Sequence, residues 1–251
     1  MEAVVALLAA GLGTLWWQWL RWSRSQRALV ASLDPDVAIA LHVAQHEARS
    51  REHQSLTAYH LLYGALQVEG IAEAIRATGG DAGTLEDRVL AALGQLSDEG
   101  MMMTEDAQRV LSFVYAIAHY HERLASAGDL WCALLRSRAA EVLAEGRVDG
   151  RRVLVRLVHR ADEPEPGASG PDVLVVVRND DHTTQAFVSH VLHDVFGLAP
   201  DAADALTLEV HEHGKGVVAR LPAADARQKI LEVRARAREH GFPLWIATEP
   251  A

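Results

Sequence analysis

Cysteine is almost absent from this chain: Cys132 is the only one in 251 residues. No intrachain disulfide can form, so the fold rests on its core rather than on covalent staples. Cys132 stands in the apolar run Leu130-Trp131-Cys132-Ala133-Leu134-Leu135, the setting of a small buried side chain rather than of a reactive thiolate. No phosphate loop of the form G-x-x-x-x-G-K-[ST] occurs, so the chain is not itself a motor driven through such a loop. The 13 histidines include no H-E-x-x-H pair and no Cys/His ligand spacing, so no metal and no other cofactor is expected. Positive charge is in deficit, with 24 Lys and Arg against 34 Asp and Glu and a formal net charge of -10. Such a chain has no general attraction to nucleic acid, and that partner is set aside. Apolar residues are plentiful at 49%, with 23% charged, the composition of a folded, core-forming protein.

One long apolar run stands out. Ala3 to Leu20 has Gln18 as its one strongly polar exception. A helix of that length measures roughly 27 Å, close to the hydrocarbon thickness of a bilayer. Trp16, Trp17, Trp19 and Trp22 cluster at its C-terminal end, and Arg21, Arg24 and Arg27 follow. Indoles favour the headgroup region, and basic residues favour the cytoplasmic side. A secretory signal would carry its positive charge before the run, but only Glu2 stands there, and no small-residue cleavage site follows the tryptophans. The reading is a membrane anchor over residues 1–22, with a single pass through the cytoplasmic membrane at residues 3–20 and the rest facing the cytoplasm. A short amphipathic or buried helix and a cleaved signal are the competing readings.

Two breaks organise the remainder. Residues 23–34 form a polar connector ending at Asp34-Pro35, and residues 161–171 include the acidic Pro/Gly-rich stretch Asp162 to Pro171. That stretch cannot continue a helix and reads as a linker. Between the breaks, residues 35–160 read as all helical. Ala38, Leu41, Ala44 and Ala48 recur at helical spacing, and Thr57 precedes the apolar run Tyr59, Leu61, Leu62, Ala65 as an N-cap. The stretch Thr57 to Leu66 has an echo in Ser126 to Leu135, each with a helix before it (Val37 to Arg49; Glu105 to His121). Each is also followed by an Ala/Glu-rich helix, a Gly-containing turn and another apolar helix (Leu85 to Leu96; Arg151 to Val158). The duplication predicts two packed copies of one helical unit. On Ala48-Arg49-Ser50-Arg51-Glu52-His53 followed by Leu56-Thr57-Ala58-Tyr59-His60-Leu61-Leu62, this segment resembles the Clp N-terminal domain, the double helical repeat of Clp unfoldases. The resemblance implies a domain that docks adaptors and substrates and has no chemistry of its own.

Residues 172–251 read differently. Val173 to Val177 is a buried strand by its continuous β-branched and Leu run. Thr183 or Thr184 caps a helix with Phe187, Val188, Val191, Leu192 and Val195 on its apolar face. Pro200 opens a second helix that Gly214 ends; Val217 to Leu221 is a strand; Pro222 starts a third helix stopped by Gly241; Pro243 to Thr248 is the last strand. The order is β-α-α-β-α-β, an α+β domain. The fold class is therefore mainly α plus α+β, with a transmembrane helix in front. Three motifs, Val177-Arg178-Asn179-Asp180-Asp181-His182-Thr183, Glu209-Val210-His211-Glu212-His213-Gly214-Lys215 and Phe242-Pro243-Leu244, appear in that order. On them the segment resembles the ClpS adaptor family. Alone, Asn179, Asp180 and Asp181 read as a strand-to-helix turn with capping carboxylates, and His182, His190 and His193 as solvated helix-face residues.

The resemblance implies a pocket for a free N-terminal residue (an N-degron). Asn179, Asp180 and His211 match the positions that hold the α-amino group, Asp181 and Thr183 flank them, and Val188, Val210 and Leu244 match the side-chain lining. An ammonium presents donors only, so carboxylate, amide oxygen and neutral imidazole suit it. Two departures matter. Gln185 and Thr207 stand where the family usually has Met at the pocket mouth, which implies an altered side-chain preference. On the third helix Lys229 matches a residue that contacts the unfoldase, but Ala224 replaces an acid, which implies weaker or displaced docking. The chain is read as a non-enzymatic, membrane-anchored adaptor that binds N-degron peptides and links them to the Clp unfoldase and protease. The alternative is a scaffold or regulator in which the helical domain docks its own ClpS-like domain, across a linker short enough for an effective concentration on the order of millimolar.

Overall fold

The computed structural model describes residues 32–96, 103–166 and 172–251. Eight helices occupy its first part: α1 (Pro35–Ser50), α2 (Ala58–Leu66), α3 (Glu69–Ala77), α4 (Ala82–Leu93), α5 (Glu105–Tyr120), α6 (Ala127–Leu135), α7 (Ala139–Glu145) and α8 (Gly150–His159). The second part runs β1 (Asp172–Arg178), α9 (Gln185–Phe196), α10 (Pro200–His213), β2 (Lys215–Pro222), α11 (Ala223–Glu239) and β3 (Trp245–Pro250).

The echo in the sequence is visible in the caps. Thr57 accepts from the N–H of His60, whose ring returns to the Thr57 backbone; Ser126 and Asp129 make the same reciprocal box at the start of α6. Each box satisfies donors that a helix start leaves unpaired. The two copies then exchange short bridges. Leu33, before α1, pairs with Ala125, before α6, and Leu56, before α2, pairs with Met103, before α5. The pairings are reciprocal between equivalent positions, as a pseudo-two-fold arrangement of two four-helix units requires. One core joins both units, from Val37 and Ala44 through Leu61 and Leu62 to Trp131, Leu134 and Leu154. Cys132 is buried in it, and burial pushes its thiol up to about 11.

In the second part the strands form one antiparallel sheet in the order β2-β1-β3. Helices α9 to α11 cover one face, with Val175, Val177, Val191, Ile230, Val233 and Ile246 in a common core. The other face of β1 is also buried. Val176 packs with Trp245, Ala247 and Val155 of α8. Successive strand residues face opposite sides, so a strand covered on both faces must be apolar throughout, which is why Val173 to Val177 shows no alternation.

The expected transmembrane helix and the single-pass location are corrected. No helix among the described residues is long and apolar enough to cross a membrane. The longest, α11, has 17 residues, short of the roughly 20 that a span needs, and it carries basic and acidic side chains along its length. The expected anchor and most of its connector lie outside the described residues. The fold class becomes a helical double-repeat domain followed by a three-stranded α/β domain. A second correction concerns His182, expected on a solvated face: it is buried, with 8% of its surface exposed.

Gly64 of α2 is fixed by close approach, since a Cβ there would meet the carbonyl oxygen of Ala40 at 2.0 Å. The obstacle is backbone, so α1 and α2 would have to separate. Gly64→Ala is expected to destabilise by about 1–3 kcal/mol. Gly70→Ala, in α3 with nothing within 4 Å, should stabilise by about 0.4–1 kcal/mol. Urea unfolding of both variants checks the opposite signs.

Candidate functional site

The turn after β1 begins the site. The Asn179 N–H donates to the Gly214 carbonyl at 2.9 Å, which ties the end of β1 to the end of α10. Gly214 makes this possible by taking a left-handed conformation at φ 81° after α10. His211, in the last turn of α10, is thereby brought beside Asn179 at a cavity of about 660 Å³. Val188 from α9, Thr207 and Val210 from α10 and Leu244 line it with them, and Gln185 and Thr183 stand at its edge. Every residue proposed from sequence for the amine and side-chain positions borders this one cavity; Lys229 does not.

The individual side chains are differently placed. His211 is exposed, and its ring makes no hydrogen bond among the described residues. Val188, Val210 and Leu244 are buried and present an apolar wall. The Thr207 hydroxyl donates to the Ala203 carbonyl at 2.8 Å within α10, so its proton is not available to a ligand. Asp180 has a side chain with no exposed surface. One of its oxygens accepts from the N–H groups of His182 at 2.8 Å and Thr183 at 2.6 Å, and the other from the Thr183 hydroxyl at 2.8 Å. It shapes the turn and places a carboxylate charge behind the cavity. Lys229 donates to the Val195 carbonyl and lies 5.6 Å from the centre of the Phe196 ring, both in its own domain.

The helical domain supplies residues that the sequence did not single out. Phe113, Ala116, Ile117 and Tyr120 of α5, with His121, border the same cavity from the opposite side. Their spacing of three, four and seven residues puts the first four on one helix face, a periodicity that was available in the sequence. Just beyond them Arg123 donates to Asp181 at 3.0 Å and to Asp129 at 2.6 and 3.0 Å. His121 meets the Asp181 carbonyl at 3.2 Å. His182 Nε2 lies 2.8 Å from Asp129 Oδ1, an ion-pair distance without an aligned N–H···O bond. The guanidinium of Arg136 lies over both Phe113 and Phe242, at 4.7 and 5.9 Å from the ring centres. Two of the three sequence motifs are thus held by the helical domain.

The third fastening is also buried. Arg151 of α8 donates to the carbonyls of Phe242 at 3.2 Å and Leu244 at 2.7 Å. It also pairs with both oxygens of Glu163 at 2.6 and 3.0 Å. Its side chain is 4% exposed and that of Glu163 is 7% exposed. His159 reaches the Pro243 carbonyl at 3.2 Å and stands 4.0 Å from Asp180. Burial holds the His159 imidazole below the usual histidine range, against the pull of Asp180. Glu163 belongs to the stretch read as a linker, and Trp245 and Arg234 also bond to that stretch, at the Asp162 and Pro164 carbonyls.

Residues 168–247 match the family model of ATP-dependent Clp protease adaptor protein ClpS, and residues 32–146 match that of the Clp repeat (R) N-terminal domain. The ATP-dependent Clp protease adapter protein ClpS of Nitratidesulfovibrio vulgaris is 44% identical over 75 residues, which cover 30% of this chain and 75% of the relative. Its counterpart in Neisseria gonorrhoeae is 36% identical over 93 residues, 37% of this chain and 86% of the relative. Agrobacterium tumefaciens ClpS2 bound to L-phenylalaninamide is 34% identical over 33% of this chain and 100% of the solved chain, with a TM-score of 0.31.

Asp129 offers a test of the contact between the two parts. Burial opposes ionisation, but His182, Arg123 and the Ser126 N–H outweigh it and hold the carboxyl well below the usual range. A depressed folded-state value stabilises the fold above the unfolded carboxylate range, near pH 4, and that contribution is lost as pH falls below it. Asp129→Asn should therefore cost about 2 kcal/mol at neutral pH. The difference from wild type should shrink steadily below about pH 4. Denaturant unfolding at several pH values checks it; a difference that is constant with pH would contradict the ion-pair account.

Proposed function

Because the chain belongs to the ClpS adaptor family through its C-terminal part and carries a Clp repeat domain ahead of it, we propose that it captures the free N-terminal residue of a polypeptide and passes it to Clp protease machinery. The adaptor role is that of the family; capture of the N-terminal residue is our reading of the cavity. The observation that carries it is the meeting of Asn179 and an unpartnered His211 with the apolar wall of Val188, Val210 and Leu244. The α-ammonium donates to the Asn179 amide oxygen and the His211 ring. Asp180, whose side chain has no exposed surface, favours the cation through its charge and not through a direct bond. The first side chain enters the apolar end, where Thr207 in place of a longer side chain leaves room. The work is binding, with no catalytic step.

The unfoldase contact is proposed at the exposed surface of α11 around Lys229, where Ala224 leaves an expected acid missing. A second reading has its own observation. The contacts of Arg151 with the Phe242 and Leu244 carbonyls and of Arg123 with Asp181 clasp the two domains of this chain to each other, which favours a role in which the helical domain acts on its own ClpS-like domain.

Peptides beginning with Leu, Phe, Ile or Ala, each with a free and an acetylated amine, test the main reading by calorimetry. Acetylation should weaken binding by about tenfold to a hundredfold, and His211→Ala by about tenfold. Affinity should also fall as pH rises past about 8, where an α-amino group loses its proton. Equal binding of free and acetylated peptides sinks the proposal.

A further inference from the structure

The cavity has two walls, and only one belongs to the ClpS-like domain. The other is the α5 face carrying Phe113, Ile117 and Tyr120. The end of this face with Ile117 and Tyr120 lies outside the helical core. Ala107, Val110, Leu111, Val114 and Ala118 are the α5 residues buried in the helical domain, and Phe113 packs partly against that core, whereas Ile117 is half-buried and Tyr120 is 81% exposed. Large side chains such as Ile117 and Tyr120 left outside their own core are available to another partner. The helix is also held in place. Arg123 grips Asp181 at 3.0 Å just past its end, and Arg136 lies over Phe113 and Phe242 together.

A self-blocking contact would fill the space in front of His211. It does not: about 660 Å³ stays open between the walls, within the range of roughly 300–1,000 Å³ typical of ligand sites. The amine acceptors and the apolar wall of Val188, Val210 and Leu244 all lie on the ClpS-like side. A polypeptide whose first residue uses them must continue along the gap, with α5 as its other boundary. We propose that the α5 face reads the second residue of the bound polypeptide, accepting an apolar or aromatic side chain against Ile117 and Tyr120 and disfavouring an acidic one. The inference rests on capture of a free N-terminus as argued above. It makes the Clp repeat domain part of the recognition site, so that the chain reads two residues and not one. Because the wall is fixed before the ligand arrives, little ordering cost opposes its contribution.

The test uses the full chain and free-amine peptides that share Leu at position one and carry Phe, Leu, Ala or Asp at position two. Wild type should bind the Phe peptide about tenfold tighter than the Asp peptide, the order expected for burial of one apolar side chain. The double variant Ile117→Ala with Tyr120→Ala should flatten that ranking to within about twofold while acetylation still weakens binding. Tyr115→Ala, on the same helix but away from the cavity, should leave the ranking as in wild type. A ranking unchanged in the double variant, with acetylation still effective, overturns the second-wall inference and leaves N-terminal capture standing. Binding indifferent to acetylation overturns the capture reading and this inference with it.

Discussion

The Arg151 guanidinium is buried where the two domains meet, and it satisfies its donors on both carboxylate oxygens of Glu163 and the carbonyls of Phe242 and Leu244. A buried cation is tolerated only when paired and hydrogen-bonded, and removing one partner of such a pair is strongly destabilising. The geometry it demands is therefore rigidly specified. It anchors the segment that delivers Leu244 to the cavity floor, and it draws Glu163 out of an otherwise polar stretch into the seam. The apolar contact of Val155 with Val176, Trp245 and Ala247 lies alongside and excludes water from it. Around this seam, Arg123, Asp129, His182 and Asp181 make a second polar contact at the opposite rim of the site.

The consequence is that two folds which could each be described alone border one cavity. The sheet and α10 place Asn179 and His211; the double helical repeat places α5 across from them. The reciprocal bridges of Leu33 with Ala125 and of Leu56 with Met103 fix the position of α5 within the repeat, and Arg123 and Arg136 carry that position to the cavity. On the proposed reading, recognition depends on packing far from the ligand, through a chain of named contacts, and not on a flexible tether.

Much of this was legible in sequence where a local rule acts. Thr57 caps its helix as read, Pro200 and Gly214 bound α10, and Thr184 starts α9, because each needs only its near neighbours. The ClpS-like motifs converge on one cavity because the strand and helix order that brings them together is written in apolar runs and turn residues. What was not legible depends on contacts between distant segments. Asp129 looks like a helix-box residue, and only the fold brings Arg123 and His182 to it. Glu163 sits in a stretch whose composition says linker, and its burial follows from Arg151, Arg234 and the Ile246 N–H, all distant in sequence or outside that stretch. His182 looks solvated until Asp129 is placed beside it. The stripe of Phe113, Ala116, Ile117 and Tyr120 is periodic, but periodicity does not say which surface it faces. Asp180 has the right charge for an amine partner, yet its oxygens close the local turn first, which is the reading its own neighbourhood favours.

The central claim is that a free N-terminus is held in a cavity shared by both domains. The most direct measurement is photo-crosslinking of the full chain to a peptide with a free N-terminal Leu and a photoreactive side chain at position two, with the attachment site found by mass spectrometry. The account predicts labelling within Phe113 to Tyr120 of α5 that is lost when the peptide is acetylated. Labelling confined to residues 172–251, or labelling of α5 that acetylation leaves unchanged, would contradict it.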